Sequence, residues 1–285
     1  MATATLHMGY IGGVTIGGTQ YFMSGSSINP NQTVEAPDLV AGWEMRRGWT
    51  YGKVDPSGNV SGPLHEGATS LWDIAKERTT DKDHLLTSVA IDIAFYNGGG
   101  WHFGDCVINS LQISATAGEV VQFTADFAGR SIVTASGAPT AVTCSKLMTW
   151  DRCLFSIGGG FVGATNLQSI NFTLNNNVQK LYAIQGTINN VDGLYPVDLP
   201  CGVREVTGSI SAYADGPIHD VTAGADYWGG YTATNAARAV SFQVAGAAGN
   251  IIDTTFKAVF HRPTGSGQTG ATIYTLNFTA VCDLT

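Results

Sequence analysis

Alternation of apolar and polar residues between positions 107 and 127 constrains the fold of this chain more than any other feature. A period of two is typical of a β-strand, in which successive side chains lie on opposite faces. The turn-forming residues Thr116-Ala117-Gly118 separate two such stretches, which predicts a β-hairpin with one buried face. The residues predicted to share that face are Val107, Asn109, Leu111 and Ile113 in the first strand and Val121, Phe123, Ala125 and Phe127 in the second.

The same alternation near the C-terminus predicts a second hairpin. The residues predicted to share a face are Ile252, Thr254, Phe256, Ala258 and Phe260 in one strand and Tyr274, Leu276, Phe278, Ala280 and Cys282 in the other. The Gly-rich stretch 263–270 between them predicts a long, flexible loop, and the Gly- and Pro-bearing stretch 55–67 predicts another. We therefore expect a mainly β protein.

One segment has helical spacing instead. Ser70, followed three residues later by Asp73, is typical of a helix N-terminus. Leu71, Ile74 and Ala75 then recur at the spacing of one helix face, which predicts a short amphipathic helix within 69–78. The segment that follows Trp228 is a poorer helix former, and we expect a shortened counterpart there.

Composition limits the class of protein. Only 13% of the residues are charged, 36 of 285 are glycine and the net charge is −8, which together favour a subunit whose surface is covered by neutral polar groups and partner protein. A negative chain is poorly suited to tight nucleic-acid binding, which needs Lys and Arg to neutralise phosphates. We expect no membrane span, because no run of 18 apolar residues occurs. The five cysteines form no CxxC pair and are expected to be buried thiols.

Ordered matches between the two halves of the chain indicate a tandem duplication. Its strongest element is the spacing D-L-x-x-G-x5-G, at Asp38, Gly42 and Gly48 and again at Asp198, Gly202 and Gly208. The other matches are Ile11-Gly12-Gly13 with Ile157-Gly158-Gly159, Ser27-Ile28-Asn29 with Ser169-Ile170-Asn171, Trp72 with Trp228, and Phe123-Thr124-Ala125 with Phe278-Thr279-Ala280. The matches predict two β-sandwich or barrel domains at 1–145 and 146–285, each with a short helix.

Searches for catalytic and ligand-binding patterns favour neither an enzyme nor a cofactor site. The glycines of 158–163 satisfy G-x-G-x-x-G, but the alternating residues after them predict a tight β-turn between strands, not a dinucleotide site. The stretch 81–84 resembles the opening of a calcium loop but lacks its later glycine and glutamate, so a loop after the helix is expected. Trp43, Trp49 and Tyr51 share a predicted strand face, which leaves open a carbohydrate- or receptor-binding module.

Three stretches carry a resemblance to a known family. Residues 106–130, 167–178 and 204–210 are similar to strand patterns of major tail tube proteins from bacteriophages with long, non-contractile tails, and the resemblance covers most of the chain. It implies a tail-tube-like β-sandwich or barrel fold and a structural virion protein without catalysis or cofactor, and the predicted duplication makes this two tandem domains. Because each chain carries two copies, the resemblance implies trimeric rings that stack into a conduit for phage DNA.

The resemblance also implies partners and a location. The expected partners are further copies of the chain, other tail proteins (the tape measure, tail tip and terminator) and DNA that passes without sequence-specific binding. The expected location is the virion tail, after synthesis in the cytoplasm of a bacterial host, with no membrane association. A capsid decoration or baseplate protein built from β-sandwiches is the alternative within virions.

Overall fold

The computed structural model of the chain describes residues 11–23, 25–35, 50–68, 71–77, 86–95, 99–136, 146–157, 160–161, 167–183, 194–213, 238–246, 249–261, 264–268 and 271–280. The strands are Ile11–Ile16 (β1), Thr19–Tyr21 (β2), Gly25–Glu35 (β3), Thr50–Pro63 (β4), Val89–Phe95 (β5), Gly99–Thr116 (β6), Gln122–Ala128 (β7), Ser131–Ser136 (β8), Cys153–Ile157 (β9), Gly160–Phe161 (β10), Leu167–Asn175 (β11), Glu205–Tyr213 (β12), Arg238–Ala245 (β13), Asn250–Phe260 (β14), Thr264–Gln268 (β15) and Ala271–Ala280 (β16). The helix is Leu71–Lys76 (α1), and a short 3-10 turn covers Trp150–Arg152. The predicted mainly β class is confirmed.

The predicted helix is confirmed at Leu71–Lys76. Its apolar face is buried because Leu71, Trp72, Ile74 and Ala75 all lie in the main hydrophobic cluster. The Trp72 ring packs against that of Phe172, with 5.1 Å between the ring centroids. The proposed cap Ser70 and the expected second helix after Trp228 lie outside the described residues, as does the 81–84 loop.

Strand pairing follows the same order in the two halves of the chain. The first half is ordered β2-β1-β5-β6-β7-β4-β3, with every pair antiparallel. The second half is ordered β10-β9-β13-β14-β16-β12-β11, again with antiparallel pairs. β15 extends the pairing of β14 along β16, so β14 and β15 together hold the place that β6 holds in the first half.

Both orders begin with a hairpin at a Gly-Gly pair. Ile16 at the end of β1 lies opposite Thr19, and Ile157 at the end of β9 lies opposite Gly160. Ile157-Gly158-Gly159 therefore corresponds to Ile16-Gly17-Gly18, and the predicted match with Ile11-Gly12-Gly13 is wrong because those residues start β1. Within the G-x-G-x-x-G stretch, Gly160–Phe161 is strand β10, which pairs antiparallel with β9 as expected for a chain reversal, and β11 follows. The other residues of the pattern lie outside the described part of the chain.

The strand register extends this correspondence through the rest of both halves. The matched residues are Ile91 with Val240, Phe103 with Phe256, Ile108 with Phe260, Phe127 with Phe278, Gly58 with Gly208 and Ile28 with Phe172. Each half also has one extra residue on one strand of a pair. In the first half, the four steps from Ile108 to Gln112 lie opposite the three steps from Phe127 to Thr124. In the second half, the four steps from Phe260 to Thr264 lie opposite the three steps from Phe278 to Thr275.

This register changes two further sequence matches. Phe278 corresponds to Phe127 rather than Phe123, and Ser27-Ile28-Asn29 corresponds to Asn171-Phe172-Thr173 rather than to 169–171. Short identical strings recur by chance in strands rich in Ser, Thr and Asn, whereas hydrogen-bonded register does not depend on residue type. Trp228 lies outside the described residues.

The hairpin predicted from alternation is confirmed, with one correction. β6 and β7 pair antiparallel around a turn in which Gly118 has φ +86°, and Phe123, Ala125 and Phe127 are buried. An irregularity between Ile108 and Ser110 shifts the alternation by one residue. Ile108 rather than Asn109 therefore joins Leu111 in the main cluster, while Val107 packs in a small second cluster with Leu86, Ala128 and Leu199.

Two predicted loops are strands, at least over the described residues. Asp55 to Pro63 belongs to β4, which pairs with β3 on one side and β7 on the other. Thr264–Gln268 is β15, paired along β16. In β4, pairing on both sides offsets the weak strand propensity of Gly, Ser and Pro, and Pro56 still accepts a hydrogen bond from the Gly129 N–H (2.7 Å).

A candidate functional surface on one face of the sheet

Eight neighbouring strands form one run in the order β3-β4-β7-β6-β11-β12-β16-β15, because β11 of the second half pairs with β6 of the first. One face of this run is apolar and buried, with Phe123, Phe172 and Phe278 each at most 1% exposed. The alternate residues of its six central strands are polar, as the period of two requires. We call these residues the polar face: Asn59, Ser61, Gln122, Thr124, Asp126, Ser110, Gln112, Ser114, Ser169, Asn171, Thr173, Asn175, Thr207, Ser209, Ser211, Thr275, Asn277 and Thr279.

Hydroxyl and amide groups of the polar face bind one another across the strands. The Gln112 amide donates to Asn171 Oδ1 at 3.0 Å, across the joint between the two halves. The Ser211 and Thr275 hydroxyls lie 2.9 Å apart, and the Asn59 amide donates to Asp126 Oδ1 at 2.5 Å. Among the named residues of the polar face, Asp126 is the one charged side chain, and none is Lys or Arg. The same alternation continues to exposed Glu205 at the start of β12, and to Asp55 and Lys53 in β4. Such a surface is wettable, and the residues that define the polar face offer phosphate groups no cation to bind.

A shallow depression lies in the polar face around Gly208. The surrounding side chains include Asn171, Thr207, Asn277 and His261, whose Nε2 lies 3.0 Å from Thr279 Oγ1. A Cβ atom at position 208 would lie 2.3 Å from Phe278 Cζ and 2.6 Å from the Asn171 carbonyl oxygen, so the position has no room for a side chain. The depression contains no paired carboxylates, and we assign it no chemistry.

A buried polar network fastens the two halves together where β11 ends. Asn176 is fully buried, and its side-chain amide donates to the carbonyls of Ala75 and Ile108, each at 2.9 Å. Its Oδ1 accepts from Arg204 Nε at 2.9 Å, and the same guanidinium donates to the Lys76 carbonyl at 2.7 Å. The network therefore ties the C-terminal end of α1 and strand β6 to the second half. Sequence reasoning missed it, although the run Asn175-Asn176-Asn177 is unusual beside a strand.

Burial shifts the pKa values of His65, Cys106 and Cys153 in the direction that favours their neutral forms. His65, 3% exposed, accepts from the Gly67 N–H through Nδ1 (3.1 Å) and places Nε2 2.8 Å from the Gln20 carbonyl. Burial lowers the pKa of His65, since a second ring proton would face the Gly67 N–H. Burial likewise raises the pKa of the Cys106 thiol and, with Asp151 nearby, that of Cys153 to about 12. Neither thiol is suited to nucleophilic chemistry.

The predicted repeat positions are only partly described. Asp38, Gly42 and Gly48, and the aromatic residues Trp43 and Trp49, lie outside the described residues, and of Tyr51 only the backbone in β4 is described. Asp198 accepts from the Leu199 N–H (2.9 Å), and Gly202 donates to the Asn176 carbonyl (3.0 Å). Gly208 lies in β12 between Phe172 and Phe278. In the strand register Gly58 holds the position that Gly208 holds in the second half. Gly48 lies outside the described residues, so the sequence match of Gly48 with Gly208 stays a prediction.

Comparison with protein families decides the assignment. A family model described as "Phage tail tube protein" matches residues 3–280. The chain belongs to the phage tail tube protein family. This assignment gives it a structural role in a phage tail tube and places it in the virion tail. A search among curated proteins finds no match to the sequence.

The described part of the molecule lacks two kinds of feature. Among those residues, no helix combines the length and apolar character needed to cross a membrane. The same residues contain no cluster of three or more His, Cys, Asp or Glu side chains arranged to hold a metal ion.

Proposed function

We propose that three copies of this tail tube protein form a ring, that the rings stack into a tube, and that the polar face lines the channel through which phage DNA leaves the virion. Each chain contributes two tube-like domains, 1–145 and 146–285, so that a ring contains six. The observation that supports this proposal most strongly is the eight-stranded run, which has one buried apolar face and one polar face of hydroxyl and amide groups. Other tail proteins would meet the tube at its ends.

The chemistry of the polar face supports a passive channel. A DNA backbone slides past a wall easily when no cation binds its phosphates, because counterion release drives most non-specific DNA affinity. The named residues of the polar face include Asp126 and no Lys or Arg, and the chain carries a net charge of −8. Beyond them, the described residues on the same side of the sheet include two carboxylates, Glu205 and Asp55, and one ammonium, Lys53. Mild repulsion with a hydrated hydroxyl lining therefore favours transit over binding.

The identical pairing order of the two halves supports the duplication. Chance does not readily give two seven-strand orders with the same Gly-Gly hairpin and the same strand irregularity. Two equivalent domains in one chain would make a trimer a pseudo-hexamer. Six equal positions around one axis are then filled by three molecules.

Assembly tests this proposal directly. We expect purified protein, at raised concentration, to form rings and short tubes in negative-stain electron microscopy, with a native mass of three chains of 29.9 kDa for the ring. The reason is that edge strands satisfy their backbone groups by pairing. Monomers at every concentration and salt condition tested would refute the proposal, and a ring of six chains would refute the trimer.

Reagent size tests the position of the polar face. We expect single cysteines at the exposed positions Thr207 and Asn277 (T207C, N277C) to react with a polymer-bearing maleimide as monomers, and to lose that reactivity severalfold in tubes. A small maleimide should label both states, because it can enter the channel. The parent chain gives the background from its own cysteines. Undiminished labelling by the large reagent in tubes would place the polar face on the outside.

A further inference from the structure

We propose that the outer edge of β3 pairs antiparallel with the outer edge of β15 in a second copy of this chain, in the register that β11 and β6 use inside the chain. This inference rests on the proposed ring assembly and specifies its joint. It names the two strands, the residues that lie opposite each other and the groups that bond.

The two strands are the ends of the eight-stranded run. Over the described residues, β3 pairs only with β4, and β15 pairs only with β16. Each therefore presents one unpaired row of backbone N–H and C=O groups, which is a template for another strand. Strands β2, β8 and β10 also have an unpaired side, but none of them corresponds to a strand of the joint between the halves.

The internal joint shows what pairs with such edges. There, β11 of the second half lies against the C-terminal part of β6 of the first half. By position in the pairing order, β3 is the first-half counterpart of β11, and β15 is the second-half counterpart of that part of β6. The two unpaired edges of one chain, those of β3 and β15, are thus the counterparts of the β11 and β6 edges that are already paired within the chain.

The register follows from the same correspondence. Within the chain, Ser169 to Thr173 lies opposite Thr116 to Gln112. The strand matches convert this into the pairs Gly25 with Gln268, Ser26 with Gly267, Ser27 with Ser266, Ile28 with Gly265, and Asn29 with Thr264. These pairs use the first five residues of β3 and all of β15.

The direction of the backbone groups agrees with this joint. In an antiparallel sheet, the N–H and C=O of one residue point to the same neighbour. The Pro56 carbonyl accepts a hydrogen bond from the Gly129 N–H, on the β7 side of β4. Pro56 therefore forms no backbone hydrogen bond with Pro30, which lies opposite it in β3. The backbone carbonyl of Pro30 must then point away from β4, toward the outer edge. Because backbone direction alternates along a strand, the N–H and C=O groups of Ser26 and Ile28 also point to the outer edge. Because Pro30 has no N–H to donate, the proposed ladder ends before it.

Such a joint is heterologous, since two different edges meet. Repeating it adds each chain in the same orientation and closes a ring when the rotations sum to a full turn. The internal joint already fixes that rotation once per chain. A second joint of the same kind would continue the polar face without a break from one copy to the next.

Disulfide trapping tests the register. Ser27 and Ser266 form a proposed pair whose backbone groups do not bond, and Cα atoms in such pairs lie about 4.5 Å apart, within the range that a disulfide spans. We expect S27C/S266C protein, assembled and mildly oxidised, to run as covalent dimers and trimers on non-reducing gels. The single variants S27C and S266C should run as single chains on the same non-reducing gels.

Matched variants distinguish the outcomes. N171C/S114C tests the same pair inside the chain and should give a disulfide within the monomer. N29C/S266C shifts the register by two residues, which raises the Cα separation to about 8 Å and should prevent bonding. Rings of S27C/S266C that give no intermolecular disulfide, or better trapping by N29C/S266C, would overturn the joint but not the ring. Failure of the parent chain to form rings would overturn both.

Discussion

Replacing Gly208 with alanine is expected to lower the free energy of unfolding by about 3 kcal/mol, the upper part of the range for overpacked cores. The added Cβ would lie 2.3 Å from Phe278 Cζ and 2.6 Å from the backbone oxygen of Asn171. The ring could move only into the packed cluster, and the carbonyl is fixed in the β11–β12 ladder. Urea denaturation followed by tryptophan fluorescence measures the change.

Two further variants give this prediction its controls. Ser209→Ala alters the next residue, on the polar face, and should change stability by no more than about 0.5 kcal/mol. Adding Phe278→Leu to Gly208→Ala shortens the opposing side chain and should recover part of the loss, which a double-mutant cycle reveals as coupling. A Gly208→Ala protein as stable as the parent would contradict the close packing described for this position.

Asn176→Leu is expected to cost about 3 kcal/mol or more, because each buried group left without a partner costs about 1–3 kcal/mol. The change removes the amide that serves the Ala75 and Ile108 carbonyls and the oxygen that accepts from Arg204. It therefore releases the end of α1 from the joint between the halves. Denaturation measures the stability, and hydrogen exchange should show earlier opening of α1 than of β7.

The matched control for Asn176 is Thr173→Ala, a polar-face change in the same strand, which should cost about 0.5 kcal/mol or less. The double variant Asn176→Leu/Arg204→Met should lose less than the two single variants together, since the guanidinium no longer lacks its acceptor. Full additivity would show that Arg204 and Asn176 act independently and would contradict the network.

The sequence predicted the elements that depend on local pattern. Alternation identified the β6–β7 hairpin and its Gly118 turn, and helical spacing identified α1. The sequence predicted Asn109 on the buried face, where the structure places Ile108. This difference was not predictable, because the irregularity that causes it depends on the pairing of two strands and leaves no pattern in the sequence of either strand alone.

Other features depend on contacts between distant parts of the chain. The stretch 55–63 has the composition of a loop, yet strands on both sides make it β4. Asn176 gains its role from residues 101 and 68 positions away, a distance that no local motif spans. The candidate surface was predictable only in its parts: each strand shows alternating polar residues, but their union into one face needs the strand order.

The joint between β6 and β11 inside each chain has a consequence for polymerisation kinetics. Covalent connection makes every second contact of the proposed ring a first-order event, independent of protein concentration. Assembling the ring then takes two encounters between molecules and one closing contact, where six separate domains would need five encounters and one closing contact. Nucleation should accordingly depend less steeply on concentration, and partly closed arcs should be fewer, than for subunits that carry one domain each.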